Sequence, residues 1–129
     1  VMSAAVADYT ISNPSPQKIK KQHGTLTIEL NKTADILKTL GENKRENQFL
    51  AGFALETNNE KEFALKKLHS KNADMIVLNS LNDAGAGFGH NTNKITIFDK
   101  KGNEFHFDTK SKTALAADIV NTILKISNV

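Results

Sequence analysis

Residues 48–79 read QFLAGFALETNNEKEFALKKLHSKNADMIVLN, and this stretch decides the fold. Gln48 to Leu55 is a nearly continuous apolar run of strand length, the pattern of a strand covered on both faces. Glu56-Thr57-Asn58 ends that run and is expected to cap a helix from about Asn59 to Lys71. Ala64, Leu65 and Leu68 give this helix its apolar face. Ala73 to Leu78, ADMIVL, is a second buried strand that ends at Asn79. Strand, helix, strand with continuous apolar strands implies parallel pairing beneath a covering helix.

Downstream, a loop carries Gly85, Gly87 and Gly89. Asn93 to Asp99 and Glu104 to Asp108 then alternate polar and apolar on either side of Lys100-Lys101-Gly102-Asn103, which reads as a hairpin. Lys112 to Ile126 places Leu115, Ile119, Ile123 and Ile126 on one helical face. Upstream, Thr33 is expected to cap a short helix through Ile36, Leu37 and Leu40 that stops at Gly41. Thr25 to Leu30, TLTIEL, alternates like a half-exposed strand but follows a loop, so it reads as an arm projecting from the body. The opening run, Val1 to Ala7, reads as another short buried strand, with Asp8 where it would surface. The expected architecture is α/β: a Rossmann-like three-layer sheet, mostly parallel, with a C-terminal antiparallel hairpin and the projecting arm. A chain that opens inside a buried strand is expected to be one domain cut from something longer.

Composition narrows the function. A net charge of +3 is too small to argue for DNA, and 6% aromatic residues without Trp give few platforms for single-stranded bases. No cysteine means no disulfide, thiol nucleophile or cysteine-based metal site, which fits a cytoplasmic setting. No apolar run approaches the roughly 20 residues that a membrane span needs. Neither nucleic acid nor membrane is therefore an expected partner.

In open α/β sheets, ligands bind at the carboxyl ends of the strands. Small residues there let a ligand approach the backbone, and a loop bearing Lys18, Lys20 and Lys21 could neutralise phosphate. Asp8 either caps a turn or contacts a nucleotide or metal. Lys67 and Lys71, four apart, share one helical face that by default is simply solvated. The glycines of Gly85-Ala86-Gly87-Phe88-Gly89 precede a strand rather than opening a helix, so they do not make a dinucleotide fingerprint. His23, His69, His90 and His106 show no metal-ligand spacing. From the residues alone the reading stops at an α/β domain for an anionic, nucleotide-like ligand.

Several segments taken together resemble the phosphopantothenoylcysteine synthetase (phosphopantothenate–cysteine ligase) family. They are Ser3 to Tyr9, Lys18 to Lys21, Leu26 to Leu37, Gly52 to Asn58, the Lys67/Lys71 pair, Asp74 to Asn79 and Gly87 to Gly89. The match is collinear over most of the chain. The resemblance implies coenzyme A biosynthesis. The carboxylate of 4′-phosphopantothenate attacks the α-phosphate of CTP to give an acyl-cytidylate, and cysteine then displaces CMP. By position, Met2, Ser3, Ala4, Asp8, Lys18, Ala34, Asp35, Ile36, Leu37, Phe53, Lys67 and Lys71 fall on nucleotide contacts. Lys18 falls on the lysine of a flap that closes over the reacting groups, Ala5 on a substrate contact, and Asp8 on a possible ligand of Mg²⁺. The family usually has Asn-Pro-Asp where this chain has Thr33-Ala34-Asp35.

Further expectations follow from the resemblance. The residues correspond to the C-terminal portion of the synthetase, without its Gly-rich N-terminal half. The arm around Thr25 to Leu30 would serve a homodimer. FMN would be present only if a flavin-dependent decarboxylase were fused outside these residues. The alternative is a nucleotide-binding α/β module without ligase activity. One geometric tension accompanies the resemblance: Lys67 lies about 14 Å down its helix from the strand end, at 1.5 Å per residue.

Overall fold

A computed structural model describes residues 1–3, 6–20, 24–80, 82 and 89–127. It resolves into two compact units, Val1–Ile36 and Leu37–Val129. Each is taken by itself.

The first unit is built on a two-stranded antiparallel ribbon. Strand β1 (Tyr9–Ile11) pairs with β2 (Leu30–Lys32), with Thr10 opposite Asn31. The Thr33 amide donates to the Asp8 carbonyl at 2.9 Å and its hydroxyl to the Ala7 carbonyl at 2.6 Å, closing the open end of the ribbon. Two expectations are corrected here. Val1–Ser3, Val6 and Ala7 are exposed and lie in no strand, so Asp8 does not terminate a buried strand but leads into β1. The run is rich in Ala and Ser, which bury little apolar area each, and no strand pairs with it among the described residues. The arm is also shorter than TLTIEL suggests: residues 25–29 are not strand, and only Leu30 of that segment enters β2.

The second unit holds the core. Helix α1 (Ile36–Glu42) begins three residues after Thr33, whose hydroxyl is spent on Ala7, and runs through Gly41 instead of stopping there. Gly41 is buried, and the position requires glycine because a Cβ would lie 1.8 Å from the Lys71 carbonyl oxygen. Then come β3 (Ala51–Glu56), α2 (Glu60–Ser70), β4 (Met75–Ser80), β5 (Thr92–Asp99), β6 (Glu104–Ser111) and α3 (Lys112–Ser127). The sheet order is β3-β4-β5-β6. β3 and β4 are parallel, as the strand–helix–strand pattern requires, and β4-β5-β6 run antiparallel. The antiparallel part thus takes in β4 as well as the terminal hairpin.

Alternation along the strands sorts side chains to two faces. Ile76, Leu78, Ala54 and Phe98 pack with Ala64 and Leu68 of α2. Met75, Val77, Ile95 and Ile97 pack with Leu115 of α3. The result is three layers, helix on sheet on helix, as expected. Asn59 enters α2 in the left-handed region (φ 45°) with no side-chain cap bond, so the expected cap at Glu56–Asn58 is not what starts the helix. α2 ends more conventionally. Asn72 takes φ 48°, and its amide and that of Ala73 satisfy the His69 and Leu68 carbonyls. Among the described residues, no helix is long and apolar enough to cross a membrane.

A candidate nucleotide cleft at the carboxyl end of the parallel pair

β3 is the sheet's edge strand, and two of its side chains on the α3 face remain uncovered: Phe53 is 58% exposed and Leu55 41%. With Ile95, Leu115, Ala116 and Ile119 they line a cleft of about 370 Å³ between the sheet and the start of α3. Three polar residues also reach it: Asn79, Asn93 and Lys112. Asn79 follows Val77 on the same face of β4, in a position that the alternation reserves for an apolar side chain. Its Oδ1 is buried, and among the described residues no donor reaches it. A buried acceptor left unpaired costs about 1–3 kcal/mol. Phe53 and Asn79 thus line one cleft, an exposed aromatic face and a buried, unpaired carbonyl.

The opposite face of the same sheet end holds a larger, polar cleft of about 610 Å³. Here Glu60, in the first turn of α2, accepts from the Ser80 hydroxyl at 2.6 Å and from Asn82 Nδ2 at 3.0 Å. Thr96 and His106 complete its far wall, their Oγ1 and Nδ1 3.2 Å apart. Leu78 and Ser80 line this cleft, and Asn79 between them lines the other. The two clefts therefore flank the end of β4.

Of the residues expected in a nucleotide site, the structure brings Phe53, Lys67 and Leu37 to one strand. Lys67 Nζ donates to the Phe53 carbonyl at 3.1 Å. That resolves the geometric tension. α2 runs back along β3, and Phe53 sits three residues before the strand end, about 10 Å down at 3.3 Å per residue. A lysine partway down the helix thus meets the middle of the strand. Leu37 lies over Gly52, whose Cβ would fall 2.7 Å from its methyl group. Lys71 caps the far end of α2, its backbone against Gly41, and so starts from the opposite end of the strands.

The remaining expected residues belong to the first unit. Met2, Ser3, Asp8 and Lys18 are exposed there, and Ala34, Asp35 and Ile36 lead into α1. Ala4 and Ala5, Lys21 and most of the Gly85–Gly89 loop lie outside the described residues. Among the described residues no three His, Cys, Asp or Glu side chains cluster to hold a metal ion. Mg²⁺ held mainly by substrate phosphates needs no such cluster, and the exposed Asp8 carboxylate fits a single ligand of that kind. Asn79 is the cleft-lining residue to which sequence reading gives no role. Its signal is a polar side chain at the end of an otherwise apolar strand, easily taken for the start of a loop.

A three-layer α/β domain with a cleft at the carboxyl end of its parallel strands is the class that fold and site define. The particular family follows from comparison. Residues 1–126 match the DNA/pantothenate metabolism flavoprotein C-terminal domain, and the chain belongs to that family. It is 46% identical to the coenzyme A biosynthesis bifunctional protein CoaBC of Bacillus subtilis, over 98% of this chain and 31% of that protein. It is 52% identical to a cysteine/cysteine sulfinic acid decarboxylase from an unknown prokaryotic organism, over 98% of this chain and 35% of that protein. The chain thus spans about a third of the length of these relatives. Among solved structures, the C-terminal domain of a coenzyme A biosynthesis bifunctional protein CoaBC matches with a TM-score of 0.65 and 44% identity. That match covers 76% of this chain and 46% of the other.

Proposed function

We propose that this chain is the nucleotide-binding portion of a CTP-dependent phosphopantothenate–cysteine ligase in coenzyme A biosynthesis. The observation that carries the reading is the pairing of exposed Phe53 with the unpaired Asn79 carbonyl in one cleft. A cytosine ring offers a flat face to Phe53 and an exocyclic amine to Asn79 Oδ1. Family membership and the likeness to CoaBC proteins support the same reading.

In this proposal phosphopantothenate attacks the α-phosphate of CTP, pyrophosphate leaves, and the cysteine amine displaces CMP from the acyl-cytidylate. No covalent enzyme nucleophile is needed, so the protein's work is positioning and charge neutralisation. Lys18 is the residue assigned to neutralise charge at the reacting phosphate. Met2 to Ala4, Asp8, Ala34 to Leu37, Phe53, Lys67 and Lys71 are assigned to the nucleotide, and Ala5 to the pantothenate substrate. Lys67 orders the Phe53 backbone through its hydrogen bond. Mg²⁺ accompanying CTP would add phosphate neutralisation. A homodimer through the arm around Thr25 to Leu30 and a cytoplasmic location complete the proposal, with FMN confined to a decarboxylase part outside these residues.

The test is a chimera in which this chain replaces the matching segment of the Bacillus subtilis relative. It should release pyrophosphate from CTP only when phosphopantothenate is present. In that chimera Lys18→Gln should lower turnover by about 10²–10³, the usual cost of one preorganised electrostatic contact. Near-normal turnover would remove Lys18 from the mechanism. The second reading is a nucleotide-binding module without ligase activity; one relative carries a decarboxylase name and not a ligase name. A chimera that binds CTP but releases no pyrophosphate would establish it.

A further inference from the structure

We propose that the β3 side of the second unit is an interface, seating a further α/β block of the same polypeptide in which the sheet continues past β3. The inference does not depend on the nucleotide reading. Among the described residues of that unit, six large hydrophobic side chains are exposed: Leu40, Phe53, Leu55, Phe63, Val120 and Leu124. They are not scattered. Phe53 and Leu55 belong to β3 itself. Leu40 stands on α1, whose Leu37 packs over Gly52 of β3. Phe63 lies one turn before Lys67, the α2 residue that reaches the Phe53 carbonyl, so the two share the helix flank beside β3. Val120 and Leu124 extend, at four-residue steps, the line that starts at Ala116 in the wall of the Phe53 cleft. Bare apolar surface therefore borders β3 in all three layers, the strand and the helices on either face. Single exposed hydrophobics need no explanation, but a contiguous set marks an interaction site.

The two edges of the sheet differ in the same sense. β6, at one edge, carries Glu104, His106, Asp108 and Lys110 at alternate positions, and its pairing with β5 includes a register shift. Charges and irregular pairing are how a permanent edge is blunted. β3, at the other edge, reads Ala51-Gly52-Phe53-Ala54-Leu55 with no charge before Glu56, in unbroken register with β4. That is the composition of an interior strand of a parallel sheet. Two observations choose the occupant. More than half of the solved CoaBC C-terminal domain, and about two thirds of the Bacillus subtilis relative, is not matched by these residues, so polypeptide of the required size exists in the family. A second copy fits poorly: a two-fold axis beside β3 would set two Lys67 side chains, each held at the middle of that strand, against each other. A sheet that continues sideways past β3 leaves the cleft over Phe53 open and gives it another wall.

The test is amide hydrogen exchange of β3 in the chain by itself and in the chimera with the Bacillus subtilis relative. In the chain by itself, the amides on the free side of β3 should exchange quickly. In the chimera they should exchange at least about tenfold more slowly, because each then donates to a neighbouring strand. Val120→Lys should leave the urea midpoint of the chain by itself unchanged and lower that of the chimera, where the new charge would be covered. Should the chimera not fold, the unaltered relative takes its place in the exchange comparison, read at the segment that matches β3. Equal exchange of β3 in the chain and in the larger protein overturns the proposal, and so does a Val120→Lys chimera as stable as its parent. A chain that by itself sediments as a dimer with β3 already protected, and becomes monomeric in Leu124→Lys, also overturns it, because a second copy is then the occupant.

Discussion

The two ends of the parallel strand pair are finished in opposite ways. At the amino end, Asp74 precedes β4 and every polar group around it is answered. Lys44 Nζ lies 2.6 and 2.7 Å from the two Asp74 carboxylate oxygens and also donates to the Asn72 carbonyl. The Leu50 amide donates to Asp74 at 2.7 Å, and Lys100 bridges to Asn72 Oδ1. At the carboxyl end, Asn79 has an empty acceptor, Phe53 is bare and Lys112 stands at the rim. Among the described residues, only the carboxyl end leaves a buried side-chain acceptor unanswered. Closed polar networks hold strands together; open ones hold stability in reserve for a ligand.

Substitutions at the two ends should therefore differ in sign. The largest effect belongs to Asp74→Ala, which strands Lys44, a side chain only 12% exposed. It should cost about 3 kcal/mol, as for a buried ion pair that loses one partner. Urea unfolding reads this directly, and a loss below about 1 kcal/mol would show the closed end to be ordinary surface.

Acid should produce a smaller effect at the same end. Burial alone would raise the Asp74 carboxyl; the hydrogen bonds from Lys44 and Leu50 and the charges of Lys44 and Lys100 outweigh it and hold it below the usual aspartate range. A carboxylate with a lowered folded pKa contributes stability that is fully present above its unfolded value. That contribution disappears as pH falls through the folded value. The stability difference between the parent chain and Asp74→Asn should thus be flat near neutrality and shrink below about pH 4. A difference that grows on acidification would reverse the sign of the argument.

The smallest effect is the most telling. Asn79→Leu removes an unsatisfied buried acceptor and should raise stability by about 1 kcal/mol while abolishing cytidine binding. If Asn79→Leu destabilises, the open end is paired after all, and the contrast between the ends collapses.

Periodicity carried much of the fold into the sequence. β3, α2, β4, the hairpin and α3 are legible because each buries one face or both, and burial writes a 2.0- or 3.6-residue rhythm into side-chain polarity. The opening Val1–Ala7 run misleads because an apolar stretch signals burial only where a neighbouring strand covers it. Within the site, Phe53 stands on the page as an aromatic in an apolar run, but its exposure depends on β3 being the sheet edge. The Lys67 bond to its carbonyl depends on the helix running back along the strand, which no spacing along the chain reports. Asn79 and Lys112 share a cleft although 33 positions separate them. Only strand order and helix packing bring them together.

One detail of the hairpin bears on how the chain reaches this structure. Asp99, 2% exposed, accepts from the amides of Lys101 and Asn103 and from the Asn103 side chain, while Gly102 supplies φ 83°. This locks the bend between β5 and β6 with contacts only a few residues apart, so little chain entropy is spent in closing it. β3 and β4, by contrast, meet only after α2 has been laid across them, a far longer closure. The hairpin should therefore organise before the parallel pair during refolding. During synthesis the order of emergence opposes this, because the fast-forming element leaves the ribosome after the strands that must wait for it. Asn103→Ala should slow refolding in proportion to its cost in stability, whereas Ala64→Gly should chiefly hasten unfolding. The reverse partition would place the nucleus in β3-α2-β4.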